Sequence, residues 1–151
     1  NYDEEKTMDR REFIAVAGTV AAAASTSQAF AQMAAEEQPM HPPKHKALEE
    51  AAAECVETGN DCLRHCLGMY KMKDTSMAEC ADAAFQLVAG CAALNTLAAV
   101  NSVHTGHFAK VVEMLCNDCK TECDKFPKIA VCKTCGDACK TCAEECRKAA
   151  A

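Results

Sequence analysis

Four stretches of this chain return small or apolar residues at intervals of three and four, with a short break between each stretch and the next. That interval brings side chains back to one face of an α-helix. The pattern predicts a first helix over residues 46–72, broken at Lys73-Asp74-Thr75. Ser76 followed by Glu79 reads as a capping box and predicts a second helix from there to about Val100. A break over residues 101–106 precedes a third helix, predicted over 107–125. Phe126-Pro127 ends it, and Pro127 suits the first turn of a fourth helix running to about Ala149. Short connections between helices of this length predict an all-α fold, an antiparallel up-down-up-down four-helix bundle spanning residues 46–150.

The residue that marks the repeated face is cysteine. Cys132, Cys135, Cys139, Cys142 and Cys146 form one stripe on the fourth helix, and Cys116, Cys119 and Cys123 form another on the third. Cys55, Cys62 and Cys66 do so on the first, and Cys80 and Cys91 stand three turns apart on the second. No large hydrophobe lies between the cysteines of the fourth helix, so only thiols and alanines can face inward there. Val56, Leu63, Phe85, Val88, Leu94, Leu97, Phe108, Val111, Val112, Met114 and Leu115 supply a conventional core elsewhere. The expected interior is a bundle seam lined with cysteine where Leu and Ile usually sit. Gly59, Gly68, Gly90 and Gly136 fall inside helices at ~1 kcal/mol each against Ala, which points to close backbone approach or ligand room.

Length and charge narrow the function. The 151 residues suit one domain, aromatics are 5% and the net charge is −6. No basic stripe runs along a helix, so nucleic acid is not an expected partner, and no stretch reads as long and apolar enough to span a bilayer. Ahead of the bundle, Asp9-Arg10-Arg11-Glu12-Phe13-Ile14 resembles the twin-arginine export signal. A weakly apolar run and Ala29-Phe30-Ala31 follow in the order of a cleavable leader. Residues 1–31 are therefore expected to direct export to the periplasm, with cleavage after Ala31. Residues 32–45, with Pro39, Pro42 and Pro43, are expected to be a flexible linker.

Thirteen thiols in one seam admit few uses. Cysteine as a mere small core residue would leave that seam poorly packed and open to oxidation. A disulfide framework needs Cβ atoms about 3.5–4.5 Å apart, whereas helix neighbours four apart sit at roughly 5–6 Å. Cross-helix bridges stay open, although an odd count leaves a thiol over. A thiol redox enzyme would need one exposed cysteine of low pKa that stands apart, and no position does. A metal between two thiolates spans more than a disulfide, roughly 4.5 Å for a linear unit with bonds near 2.3 Å. Zinc sites prefer closed sets of four ligands on loops, and thirteen does not divide by four. Iron–sulfur spacings differ, and Cys135-x3-Cys139-x2-Cys142 is one frame of the longer repeat. Soft thiolates and thioethers select Cu(I), and one Cu(I) per thiolate leaves the core neutral. His65, Met69 and Met72 carry the first stripe toward its C-terminal end, and Met77 opens the second helix just across the turn. A His/Met cluster at one mouth of a thiol tube suits capture of Cu(I). Met40, His41 and His45 could form a weak accessory site, while His104 and His107 read as surface residues at the opposite end.

Three segments carry a family likeness: Cys62-Leu63-Arg64-His65-Cys66, the run from Cys116-Asn117-Asp118-Cys119 through Cys123 to Phe126-Pro127, and Cys132-Lys133-Thr134-Cys135-Gly136-Asp137-Ala138-Cys139. Through them the chain resembles the exported branch of the bacterial copper storage proteins. The resemblance implies a homotetramer of bundles that stores many Cu(I) ions, about one per cysteine, without catalysis. It also implies copper ligation by His65, Met69, Met72 and Met77. Partners would be copper donors and recipients, proteins or small chelators, serving membrane methane oxidation or other copper enzymes.

Overall fold

A computed structural model describes residues 40–151. The twin-arginine motif, the cleavage site and residues 32–39 of the linker lie outside the described residues. Four α-helices follow in order: α1 (Lys46–Lys71), α2 (Ala78–Ala99), α3 (Thr105–Cys123) and α4 (Ala130–Ala150). Each packs on two neighbours in the cycle α1–α2–α3–α4–α1, and no Cα of α1 comes within 8 Å of α3, nor of α2 within 8 Å of α4. The four inward faces therefore meet across an axis wide enough for side chains. This is the antiparallel up-down-up-down bundle that the short connections require.

The turns differ from the sequence expectation in their chemistry. Ser76 does not cap α2: the helix starts at Ala78 behind Met77, with no side-chain cap. The Asp74 carboxylate instead accepts the Ser76 backbone N–H at 2.8 Å, which holds the 74–76 turn and leaves Glu79 in the first helical turn. α4 starts at Ala130 rather than near Pro127, because Ile129 is extended (φ −94°, ψ 110°). α3 begins at Thr105, two residues before the expected start at His107. The buried Thr105 hydroxyl donates to the Leu97 and Ser102 carbonyls and so fastens the turn.

α1 and α2 both end on left-handed residues, Lys73 (φ 62°) and Asn101 (φ 53°). Asp74 N–H reaches the Met69 carbonyl and Lys73 N–H the Tyr70 carbonyl, the paired bonds of a Schellman cap; Ser102 and Asn101 repeat it onto Leu97 and Ala98. Lysine is costly in that conformation. Lys73→Gly is expected to stabilise the bundle by about 0.5–1 kcal/mol, seen as a higher denaturation midpoint. The Asn101 amide also donates to the Pro42 carbonyl and accepts the Lys44 N–H at 2.7 Å, tying the segment before α1 across the α2–α3 turn.

Two of the helical glycines answer to close packing. A Cβ on Gly59 would lie 2.8 Å from Val88 Cγ2, and one on Gly90 would lie 2.5 Å from Leu115 Cδ1. A Cβ on Gly68 would meet no neighbouring element within 4 Å, so the expectation of close approach does not hold there. The same substitution should thus act with opposite sign. Gly59→Ala is expected to cost about 1 kcal/mol, because stiff Val88 must shift, while Gly68→Ala gains up to ~1 kcal/mol of helix propensity. Urea denaturation of the two variants checks both.

Several residues expected in the core are at the surface of the single chain. Phe85 is 64% exposed, Met114 58% and Val111 44%. Helices α2 and α3 bury Cys80, Leu87, Cys91 and Leu94, and Val112, Cys116, Cys119 and Cys123, respectively. Phe85, Val111 and Met114 fall between those inward positions. The reading of the chain as lacking a membrane-length apolar segment also needs correction. α2 is long enough and, at a mean hydropathy of 1.3, apolar enough to cross a membrane by composition alone. Alanine and cysteine raise that mean, and the face bearing Cys80, Leu87, Cys91 and Leu94 is packed inside the bundle.

Candidate metal centre

All thirteen cysteines are buried and free, with exposures of 0–1%. They point inward because the period of three and four keeps them on the one face of each helix that its two neighbours cover. Thr105 is the sole buried polar or charged residue among the described residues, and no buried Lys or Arg faces the sulfurs.

The sulfurs meet across helices in groups. Cys55, Cys91, Cys116 and Cys142, one from each helix, have all four Sγ atoms within 4.8 Å of one another. Three triads meet the same limit: Cys62, Cys66 and Cys80; Cys62, Cys123 and Cys135; and Cys119, Cys135 and Cys139. Cys62 Sγ lies 3.6 Å from Cys80 Sγ and 3.9 Å from Cys132 Sγ, and Cys119 Sγ lies 3.8 Å from Cys135 Sγ. Cys146 is buried one turn beyond Cys142. A three-coordinate ion with bonds near 2.3 Å sets its sulfurs about 4.0 Å apart, and no pair within these triads is more than 4.8 Å apart, so each sulfur needs to move by at most roughly half an ångström. Cys62 and Cys135 each belong to two triads, the position of a thiolate shared between ions.

The two ends of the tube differ. Toward the start of α1 and the end of α2, Leu48, Ala52, Leu94, Ala98, Ala109 and Thr105 fill the interior. There a Cβ on Gly106 would meet the Ala149 carbonyl oxygen at 2.8 Å, so α3 and α4 close tightly. At the other end lie Cys66, Cys80, Cys123 and Cys132 with Met77, which is 1% exposed. Met69, Tyr70, Phe126 and Ile129 pack half-buried over the core. That mouth of the tube is thus covered by side chains. His65 is half-buried, and its Nε2 is buried without a hydrogen-bond partner. Met72 is 69% exposed at the end of α1, outside that cover. Met40 and His41 are exposed, as are His104 and His107 at the far end.

Protons are shared unevenly along the seam. Hydrogen bonds from Cys116 and Cys139 hold Cys55 down to about 6. Those from Cys119 and Cys123 hold Cys135, and those from Cys116 and Cys146 hold Cys142, far below the ordinary thiol range. Cys116 is pushed up by Cys142 and Cys55, Cys123 by Cys119 and Cys135, and Cys139 by Cys119 and Cys135. Burial raises Cys66 to about 12 and Cys132 to about 11. Thiols that keep a proton alternate with thiols that shed one. The lining cannot ionise throughout without cations, because buried charge must be compensated. Monovalent soft cations, one per sulfur, would neutralise it.

Periodicity placed every thiol inside but could not group them. The quartet, the shared positions of Cys62 and Cys135, and the orphan nitrogen of His65 depend on how four helices are rotated against one another. No one-dimensional spacing carries that.

A four-helix bundle with a buried, uncrosslinked thiol lining and no buried counter-charge is a metal-binding helical protein. Residues 41–151 match the family model described as copper storage protein, and the chain belongs to that family. Among solved structures it is similar to apo copper storage protein 3 from Bacillus subtilis, at 28% identity and a TM-score of 0.62, covering 70% of this chain and 98% of that one. It is equally similar to the Cu(I)-bound copper storage protein BsCsp3, at 28% identity and a TM-score of 0.61, covering 70% and 97%. No curated protein matches the chain.

Proposed function

We propose that this protein stores Cu(I), about one ion per cysteine, on all thirteen thiolates of the bundle interior, and that it is a binding protein rather than an enzyme. The observation that carries this is the continuous chain of preformed triads joined through Cys62 and Cys135. The match to the copper storage family and the likeness to a Cu(I)-bound relative support it. Copper would be captured by His65, Met69, Met72 and Met77 and passed inward by ligand exchange, since the opposite end is plugged with hydrocarbon. The exposed Met72 makes first contact; Met69 and Met77 cover the outer thiols.

Anaerobic titration of the reduced protein with Cu(I), against a strong chelator, tests the proposal. About thirteen tightly bound ions are expected if each thiolate takes one. Saturation at one or two ions, with turnover of a peroxide or disulfide, would favour the thiol-redox reading instead.

His65 supplies a separate check. An unpartnered buried nitrogen costs about 1–3 kcal/mol, which a metal ion would relieve. His65→Leu is expected to raise the stability of the copper-free protein by about 1 kcal/mol while slowing copper uptake. Loss of stability with unchanged uptake would remove His65 from the ligand set.

Two finer readings belong with this one. The twin-arginine motif and the Ala29-Phe30-Ala31 pattern support export to the periplasm, with cleavage after Ala31. Exposed Phe85, Leu67, Val111 and Met114 support a homo-oligomer, a tetramer by family resemblance, that serves copper donors and recipients.

A further inference from the structure

Cys55, Cys91, Cys116 and Cys142 form the single group of four among the described residues, with one sulfur from each helix. We infer that this quartet is a tetrahedral site for one divalent, borderline-soft ion such as Zn(II), a different class of metal from the stored Cu(I). The inference rests on the geometry of the quartet and stands apart from the storage reading.

All four sulfurs lie within 4.8 Å of one another. Four atoms in a square with diagonals of 4.8 Å would have sides of about 3.4 Å, shorter than the 3.6 Å at which Cys62 and Cys80 touch. A flat quartet would thus need unusually close sulfur pairs, whereas a tetrahedral one would not. A tetrahedral ion with metal–sulfur bonds near 2.3 Å needs sulfurs about 3.8 Å apart, so each must move inward by at most roughly 0.6 Å. Small rotations about χ1 provide that.

Closure of the site favours a divalent ion. All four cysteines are fully buried, and Ala52, Leu94, Val112 and Cys146, also buried, stand one turn beyond them toward the plugged end. No place is left for a water ligand, as in structural rather than catalytic zinc sites. The triads elsewhere offer three sulfurs, which suits Cu(I). An ion on the quartet would tie all four helices together in the copper-free protein, with the thiol protons released to solvent. One divalent ion on four thiolates leaves two negative charges, and no buried Lys or Arg offsets them. Cu(I), which neutralises one thiolate per ion, should displace it.

Co(II), added anaerobically to the reduced full chain, reports the geometry. One equivalent is expected to bind with thiolate charge-transfer bands and the intense ligand-field bands of tetrahedral Co(II). Cys91→Ala and Cys116→Ala should each weaken that binding at least about tenfold, whereas Cys132→Ala, at the other end, lowers copper capacity but keeps the cobalt spectrum. Two variants are used so that a folding defect in one, visible by circular dichroism, does not decide the outcome. Cu(I) added afterwards should bleach the cobalt bands. A weak six-coordinate spectrum, cobalt binding indifferent to both quartet variants, or cobalt bands that persist in copper-loaded protein would overturn the site. A chain that takes about thirteen Cu(I) but no tetrahedral Co(II) overturns this inference alone. One that takes Co(II) at the quartet but only one or two Cu(I) overturns storage alone.

Discussion

Cys135→Ala is expected to lower Cu(I) capacity by roughly two ions, against about one for Cys146→Ala. Both side chains are buried on α4 and both substitutions remove one sulfur. The difference lies in what each sulfur is shared between. Cys135 belongs to one triad with Cys62 and Cys123 and to another with Cys119 and Cys139. Removing it leaves each triad with two sulfurs, so each drops to a weaker two-coordinate site. Cys146 stands beyond the quartet at the plugged end and belongs to no triad. Chelator competition under anaerobic conditions reads the capacities, and circular dichroism confirms the fold. Equal losses for the two variants would mean that each thiolate holds its ion independently.

Acid should release copper unevenly along the seam. Burial holds Cys66 near 12 and Cys132 near 11, so both thiols carry protons at neutral pH in the copper-free protein. Binding there releases one proton per thiolate, and the apparent dissociation constant rises about tenfold for each unit of pH lost. From pH 8 to pH 6 the outer sites should weaken by about 100-fold per thiolate. Cys55, held near 6 by hydrogen bonds from Cys116 and Cys139, is already ionised over most of that window. Its affinity should stay nearly flat down to pH 6 and fall only below it. Competition at pH 8 and pH 6, corrected for the chelator's own protonation, should show the steep component reduced but not abolished in a Cys66→Ala, Cys132→Ala double variant, because Cys62, Cys91, Cys116, Cys123, Cys139 and Cys146 are also held above the ordinary thiol range. One pH slope shared by every bound ion, unchanged by this double substitution, would remove the distinction between thiols that keep a proton and thiols that shed one.

The fold was legible because its signal is local. A thiol at every third or fourth position, with Lys, Thr, Asp and Glu between, leaves α4 one face to bury, and short breaks force antiparallel neighbours. Where the expectation failed, side chains competed for the same face. Phe85, Val111 and Met114 read as core by hydrophobicity, yet the inward positions of α2 and α3 were already taken by Leu87, Cys91, Val112 and Cys116. The turn at Ser76 failed as a cap because the Asp74 carboxylate took the Ser76 N–H.

By itself the sequence determined that thirteen sulfurs face one interior, since helical period is a property of the chain alone. Which sulfurs become neighbours was decided only in three dimensions. The rotation and height of each helix against the next put Cys55, Cys91, Cys116 and Cys142 together and made Cys62 and Cys135 common to two triads. Those relations depend on packing between elements far apart in the chain, where small shifts set by Gly59 against Val88 or Gly90 against Leu115 fix which layer meets which.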